Sequence, residues 1–248
     1  MTDGLKRRAP ELDARLQAAF EMTPVCDWCA DIGADHGRLS ARLLSDGRAR
    51  HMLVADVSEK ALSKARARLA WLGLESRAVL AVADGLEALR ELPSGASLGA
   101  ICILGMGGDT IAGILRRGAA LLGGATLILS PHTEREWTRE AVQAIGYRFE
   151  EEKLVQEAGR TYVLMRAVPA RGGEPPYTEE ELLLGPCLIK DRSALALAFW
   201  KRRAELLHGE IAAMERANHE KDADRLARSR RELQSVEEML ARASKYTC

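Results

Sequence analysis

The chain has 248 residues, 47% of them hydrophobic, which is enough for one large domain or for one domain with an appendage. With 36 basic and 36 acidic residues, its bulk charge does not indicate a nucleic-acid partner, which would need a local basic patch. No apolar run approaches membrane-spanning length, the charged N-terminal segment lacks the apolar core of an export signal, and the five cysteines are scattered. These features predict a cytoplasmic protein without a membrane anchor.

The first predicted elements form a strand, a glycine turn and a helix. Residues 11–20 predict a helix with one apolar face, and residues 25–30 predict a buried strand. The strand runs into Asp31-Ile32-Gly33-Ala34-Asp35-His36-Gly37, and residues 38–44 then have helical spacing. This order is typical of a nucleotide-binding corner, because the glycines let the backbone approach a ligand and the helix start offers unpaired N–H groups.

The spacing of this loop argues against a dinucleotide. Asp35 and Arg38 stand where a dinucleotide fingerprint has its second and third glycines. The remaining pattern, D-x-G-x-D-x-G, resembles the acidic glycine loop of Rossmann-like methyltransferases that bind S-adenosylmethionine. The amino-acid end of that cofactor is cationic, and a carboxylate such as Asp31 could hold it directly or through water.

Two cysteines on the first strand, Cys26 and Cys29, form a lone C-x-x-C. Residues three apart on a strand point to opposite faces, which argues against a zinc or redox site. We therefore expect no metal site.

The later elements continue the alternation of strands and helices. The next strand, residues 51–56, ends in Asp56, close to the roughly 20-residue interval after the glycine loop at which Rossmann-type folds present a carboxylate to ribose hydroxyls. Ser58 can cap the following helix, which ends at Gly73. The alternation predicts an α/β fold with a mostly parallel, doubly wound sheet, whose ligands lie at the carboxyl ends of the strands. The remaining elements are strands over residues 78–83, 100–104 and 125–130, a helix over 134–145, and a closing antiparallel pair over 147–154 and 160–167.

The composition changes at Pro169, where a Pro- and Gly-rich segment predicts a linker. Beyond it, residues 193–217 and 220–243 carry apolar side chains at helical intervals among many charged residues. Two helices that turn at Asn218-His219 predict an antiparallel, coiled-coil-like hairpin. The expected domains are residues 1–168 (Rossmann-like), 169–178 (linker) and 179–248 (helical hairpin).

Five motifs resemble those of one family, and the likeness covers nearly the whole chain. The chain is similar to the TrmK family, the bacterial tRNA methyltransferases that act on N1 of adenine 22. This resemblance implies a Rossmann-like class I methyltransferase fold, S-adenosylmethionine as cofactor and tRNA as partner. The motifs are Leu12-Asp13-Ala14-Arg15-Leu16, Ala30-Asp31-Ile32-Gly33-Ala34-Asp35-His36, Ala83-Asp84-Gly85-Leu86, Leu104-Gly105-Met106-Gly107-Gly108 and Leu127-Ile128-Leu129-Ser130-Pro131.

The chemistry of this family implies roles for individual residues. Adenine N1 has an in-plane lone pair, so no base must remove a proton, and alignment and desolvation are expected to dominate. Among the candidates, Asp84-Gly85 could be an ordinary turn, His36 could only stabilise its loop, and Met106 could only pack. The expected cofactor contacts are Asp31, Gly33, Asp56, Val57, Asp84, Gly85 and Gly105. The expected catalytic positions are Asp35, His36, Gly105, Met106 and Gly107.

Basic residues around the glycine loop are the candidates for tRNA contact. They could form a phosphate-binding rim, or they could be solubilising charges. Arg38 departs from the family pattern, which has an aromatic residue there, and a guanidinium can stack on a base or pair with a phosphate. Ser130 and His132 replace the usual Gln and Asn, and the charged hairpin suits solvent as well as RNA. The expected substrate contacts are Lys6, Arg7, Arg8, Arg15, Arg38, Pro131 and His132.

Two other functions stay open at this point. One is methylation of another RNA, a protein or a small molecule, because a fold does not fix a substrate. The other is a non-catalytic module that binds a nucleotide or RNA. The sequence does not distinguish a monomer from a dimer.

Overall fold

The computed structural model describes residues 8–217 and 223–244. The chain divides into two compact units, residues 1–174 and 175–248. No helix in these described ranges is long and apolar enough to cross a membrane. The strands are β1 (Cys26–Ile32), β2 (Ala49–Asp56), β3 (Ala78–Val82), β4 (Leu98–Met106), β5 (Thr126–Pro131), β6 (Tyr147–Glu157) and β7 (Arg160–Pro169). The helices are α1 (Ala14–Met22), α2 (Arg38–Ser45), α3 (Glu59–Leu72), α4 (Gly108–Gly118), α5 (Arg135–Ala144), α6 (Glu179–Leu184), α7 (Ala194–Ala217) and α8 (Ala223–Ser244).

The first unit is built around one seven-stranded sheet in the order β3-β2-β1-β4-β5-β7-β6. Strands β1 to β5 are parallel, and β7 is antiparallel to both β5 and β6. The predicted Rossmann-like, mostly parallel sheet is therefore confirmed. The strand order reverses between β1 and β4, and ligands of such sheets bind in the crevice at the carboxyl ends of the strands at this point.

Local sequence explains where the elements around this crevice begin and end. Helix α1 begins at Ala14 because the Asp13 side chain caps it, accepting a hydrogen bond from the Leu16 backbone N–H at 2.9 Å. Helix α3 ends at Leu72 because the next residue, Gly73, has a φ of 70°, the left-handed conformation that glycine tolerates best. Strand β1 extends two residues further than predicted, so Asp31 lies in the strand and not in the loop.

An ion pair is fully buried between α5 and β6. Arg139 Nε donates to Glu152 Oε1 at 2.8 Å, and both side chains are 0% exposed. Buried charges are tolerated only when paired in this way, so this pair links α5 to β6.

The reasoning about the C-x-x-C was wrong in its geometry. The pairing of β1 with β4 shifts register between Trp28 and Cys29. The Cys29 thiol is close enough to Cys26 to lower the pKa of the Cys26 thiol, so the two side chains do not lie on opposite faces. Across residues 8–217 and 223–244, no group of three or more His, Cys, Asp or Glu side chains is arranged to hold a metal ion.

The second unit contains the long helices α7 and α8, as the charged C-terminal pattern predicts. They are joined by ion pairs across their interface: Arg203 to Glu232 at 2.6 Å and Arg230 to Glu215 at 2.7 Å. Helix α6 begins with a capping box in which Thr178 and Glu181 satisfy each other's backbone N–H groups. The predicted turn at Asn218-His219 lies outside the described residues.

Candidate active site

A cavity of about 300 Å³ lies at the carboxyl ends of β1 and β4, at the point where the strand order reverses. Its wall combines the glycine loop, the end of β4, the first turns of α1 and α2 and the segment after β5. The predicted site residues in this wall are Arg15, Asp31, Gly33, Asp35, His36, Arg38, Gly105 and His132.

The glycine loop is shaped by residues with positive φ. Gly33 has φ 71°, Gly37 has φ 63°, and Asp35 takes φ 47° although it is not a glycine. A Cβ on Gly33 would lie 2.0 Å from Met106 Cε, so Met106 packs directly over this glycine. Met106 thus occupies the space that the missing side chain leaves at the edge of the cavity.

Asp31 places a buried carboxylate in the cavity wall. The residue is 4% exposed, and Ser40 Oγ donates a hydrogen bond to its Oδ2 at 2.6 Å. Burial raises the pKa of Asp31 to about 6, with a smaller contribution in the same direction from the charge of Asp56. Asp31 is therefore mostly ionised at neutral pH and poorly solvated, which favours binding of a cation.

Arg15 contributes a cationic group to the same wall. Its Nη1 is buried and has no hydrogen-bond partner among the described residues. Its guanidinium carbon lies 5.6 Å from the ring centroid of Tyr162, and Nη1 lies 3.4 Å from the position of a Cβ on Gly105. The sequence suggested a place on a phosphate-binding rim, but the structure places Arg15 in the wall of the cavity. A buried, unsatisfied N–H of this kind fits an anionic ligand.

His132 forms the opposite edge, next to Gly105. Its backbone N–H donates to the Met106 carbonyl at 2.8 Å, and its ring lies 5.7 Å from that of Tyr162. Burial lowers the pKa of His132, and the neighbouring cation Arg15 lowers it further. The imidazole is therefore neutral at neutral pH.

The three glycines at the end of β4 and the start of α4 differ in what surrounds them. Gly105 has φ 79° and faces the cavity. Gly107 caps α4 in an extended conformation, and a Cβ there would lie 2.6 Å from Asp109 Oδ1. A Cβ on Gly108 would lie 2.0 Å from the Glu134 carbonyl oxygen. Of these three glycines, Gly105 lines the cavity, whereas Gly107 and Gly108 make room for neighbouring protein atoms.

The residues expected around a ribose and adenine lie beyond this cavity, along the ends of β2 and β3. The Asp56 carboxylate accepts hydrogen bonds from the backbone N–H groups of Asp35 at 3.1 Å and Ser58 at 2.8 Å. Val57, the next residue, is 69% exposed, which is unusual for a large apolar side chain.

Asp84 and Gly85 are engaged by protein atoms. Asp84 pairs with Arg117 at 3.3 Å, and its side chain is 71% exposed. Gly85 has φ 58°, and a Cβ there would lie 3.0 Å from Ile114. These contacts match the turn interpretation that the sequence left open.

Most charged side chains at the mouth of the cavity form hydrogen bonds or ion pairs with other groups of the protein. Arg38 donates to Asp13 at 3.2 Å and to the Glu11 carbonyl at 2.7 Å. His36 Nε2 lies 2.8 Å from Lys64 Nζ and 3.3 Å from Asp35 Oδ1. The other predicted substrate residues are Arg8, which is exposed, Pro131, which is buried at the end of β5, and Lys6 and Arg7, which lie outside the described residues.

Sequence reasoning missed two contributors to this site. Ser40 reaches Asp31 from the first turn of α2, and Tyr162 reaches His132 and Arg15 from β7. Both depend on contacts between distant elements. The only local signal was the helical spacing after the glycine loop, which could have placed Ser40 on the sheet-facing side.

Comparisons with known proteins agree with this geometry. A tRNA (adenine(22)-N(1))-methyltransferase from Bacillus subtilis (strain 168) is 30% identical over 203 residues, which are 80% of this chain and 82% of that protein. The crystal structure of the B. subtilis M1A22 tRNA methyltransferase TrmK is 26% identical, with a TM-score of 0.81, over 93% of this chain and 99% of that one. Sp1610 of Streptococcus pneumoniae in complex with S-adenosyl-L-methionine has the same fold, with 24% identity and a TM-score of 0.78 over 91% of this chain and 98% of that one.

A family model covers most of the chain. The model described as TrmK, tRNA (adenine(22)-N(1))-methyltransferase, matches residues 29–237. This range includes the glycine loop, the end of β4, all of α7, and α8 as far as residue 237. On this match, and on the 30% identity to the B. subtilis enzyme, the chain belongs to the TrmK family of tRNA (adenine(22)-N(1))-methyltransferases.

Proposed function

We propose that this cavity binds the amino-acid end of S-adenosylmethionine and aligns the cofactor with N1 of adenine 22 in a tRNA. The observation that carries the proposal is the pairing of opposite charges in one cavity. Asp31 offers a buried carboxylate, and Arg15 offers a buried N–H without a partner among the described residues. An amino acid has an ammonium group and a carboxylate, so it would satisfy both.

The rest of the cofactor fits the neighbouring strand ends. Asp56 would accept hydrogen bonds from ribose hydroxyls, because it lies at the end of β2 beside the glycine loop. The exposed side chain of Val57 would cover one face of the adenine ring and lose its contact with water. Asp84 would contact the adenine amino group only if its pair with Arg117 opened.

The acceptor side needs alignment more than acid–base chemistry. S-adenosylmethionine supplies a methyl group on a sulfonium, and adenine N1 already has a free lone pair. Gly105 lets a planar base approach the end of β4, where any side chain would meet Arg15 and His132. The neutral His132 borders this space without adding a second positive charge. These residues would hold the base and exclude water, which is where most of the rate enhancement of such a displacement arises.

A labelling experiment tests this proposal. The protein, methyl-labelled S-adenosylmethionine and unmodified tRNA should give labelled 1-methyladenosine after digestion to nucleosides. A protein with this activity would work in the cytoplasm, where its tRNA substrate is. Label in a different nucleoside, or cofactor binding without any transfer to RNA, would contradict the proposal.

Arg15 variants test the assignment within the cavity. Arg15→Ala should weaken cofactor binding by about 10-fold or more, because an anion loses a charged donor. Arg15→Lys should recover part of this loss, while Arg66→Ala, an exposed arginine on α3 paired with Glu59, should change nothing. Equal cofactor affinity of Arg15→Ala and the parent would remove Arg15 from the cofactor site.

A further inference from the structure

One exposed stripe of α3 combines basic side chains with a tryptophan. Lys60, Lys64, Arg68 and Trp71 recur at helical spacing on one side, while Leu62, Ala65 and Leu69 pack on the sheet. Trp71 is 55% exposed, whereas Trp28 and Trp200 are 8% and 2% exposed. We call Lys60, Lys64, Arg68 and Trp71 the α3 stripe.

Among the described residues, the ion pair on α3 joins Arg66 to Glu59 and involves no cation of the α3 stripe. Lys60, Lys64 and Arg68 form no ion pair with a carboxylate in the described part of the chain. In the C-terminal unit, by contrast, Arg203 and Arg230 form ion pairs with Glu232 and Glu215. The line of cations in the α3 stripe is electrostatically complementary to a phosphate backbone.

The α3 stripe also adjoins the active-site cavity. A depression of about 460 Å³ is lined by His36, Lys64, Ala67, Arg68 and Trp71, and His36 lines the active-site cavity too. Lys64 Nζ contacts the His36 ring at 2.8 Å, and Arg68 Nε donates to the His36 carbonyl at 3.0 Å. The distance along the helix axis from Lys64 to Trp71 is about 10 Å, at 1.5 Å per residue.

We propose that the α3 stripe binds the tRNA strand next to the methylated adenine. Trp71 stacks on an unpaired base of this strand. The phosphates of the strand are bound by Lys60, Lys64 and Arg68. This inference rests on the proposed function. The N1 atom lies on the pairing edge of adenine, so the base must leave its partner before methyl transfer, and its neighbours are then open to stacking. An exposed indole beside cations is the arrangement by which proteins hold single-stranded nucleic acid.

Steady-state kinetics with one tRNA transcript test the role of Trp71. Trp71→Ala should raise KM for tRNA by about 5-fold to about 150-fold, the range for loss of one base–aromatic stack, with little change in kcat or cofactor affinity. Trp71→Phe should recover most of the loss. Val25→Ala removes a side chain that is 77% exposed just before the amino end of β1, away from the carboxyl ends of the strands, and should behave like the parent.

Salt dependence tests the cations separately. Lys60→Ala should lower the slope of log affinity against log salt by about 0.7 to 0.9, the value for one lost phosphate contact. Arg66→Ala is the matched control, because Arg66 lies on the same helix outside the stripe and pairs with Glu59 at 4.0 Å. Its salt slope should equal that of the parent.

Binding measured by tryptophan fluorescence separates this inference from the proposed function. The difference in tryptophan emission between the parent and Trp71→Phe is the emission of Trp71. Addition of tRNA should quench this emission. If the parent methylates tRNA but Trp71→Ala has the parental KM and no Trp71 quenching occurs, the α3 stripe is not an RNA surface. If the quenching occurs and the parent methylates no tRNA, the stripe stands and the proposed reaction fails.

Discussion

The most quantitative prediction concerns the protonation of Asp31. The pKa of this carboxyl is raised by burial from 3.8 to about 6. If the ionised form holds the cofactor's ammonium group, the cofactor affinity of the protein must fall as the pH falls through about 6. With a single group of this pKa, about nine-tenths of Asp31 is ionised at about pH 7 and about one-tenth at about pH 5. The cofactor dissociation constant should therefore rise about 10-fold between these two values.

The raised pKa of Asp31 has the opposite effect on the stability of the cofactor-free protein. A carboxyl whose pKa is higher in the folded protein than in the unfolded chain costs stability once it is ionised, so the cost is complete above about pH 6. The difference between 3.8 and about 6 corresponds to at most about 3 kcal/mol. Asp31→Asn should accordingly raise the free energy of unfolding of the cofactor-free protein near neutral pH, while it weakens cofactor binding.

Calorimetric titration with S-adenosylmethionine between about pH 5 and about pH 8 measures the effect. Ser40→Ala removes the donor at 2.6 Å and should move the midpoint upward by about 1 to 2 pH units, because that hydrogen bond favours the charged form. Asp27→Asn, at the other end of β1, should keep the parental profile. An affinity that is flat with pH in the parent, or unchanged in Asp31→Asn, would refute the role of Asp31.

Three further substitutions test the packing around the site. Gly108→Ala should destabilise the protein by about 3 kcal/mol or more in urea unfolding, because its Cβ would lie 2.0 Å from a backbone oxygen; parental stability would contradict this close packing. Arg139→Met should cost about 3–5 kcal/mol by removing the buried cation that pairs with Glu152, and adding Glu152→Leu should restore most of it; an additive double variant would argue against coupling. Arg38→Ala should cost at most about 1 kcal/mol, and a double-mutant cycle with Asp13→Ala should show coupling of that size; its absence would mean that Arg38 is available to RNA.

The fold could be predicted from sequence because its signals are local. Apolar runs that end in Gly, Asp or Pro marked the strands, and their alternation with helices implied the parallel sheet. Asp31, Gly33 and Gly105 could be placed at strand ends for the same reason, and all three line the cavity. The class of cofactor could be predicted as well, because the spacing of the glycines is also a short-range pattern.

The directions of side chains could not be predicted, because they depend on which distant elements meet. The packing of α1 directs the Arg15 side chain into the cavity. The position of Arg15 in the sequence was equally compatible with an exposed side chain on a rim. Arg38 is drawn to Asp13 by the meeting of α1 and α2. The helix that carries the α3 stripe could be predicted from its cap at Ser58 and its end at Gly73, but only the structure shows that the stripe adjoins His36 and hence the cavity.

Methylation of two tRNA transcripts that differ only at nucleotide 22 tests the central claim most directly. With labelled S-adenosylmethionine, the transcript that has adenine at this position should be labelled, and reverse transcription should stop there because a methyl group on N1 blocks pairing. The transcript that has guanine at this position should gain neither label nor stop. Equal labelling of both transcripts, or a stop at another nucleotide, would contradict the assignment of this site to N1 of adenine 22.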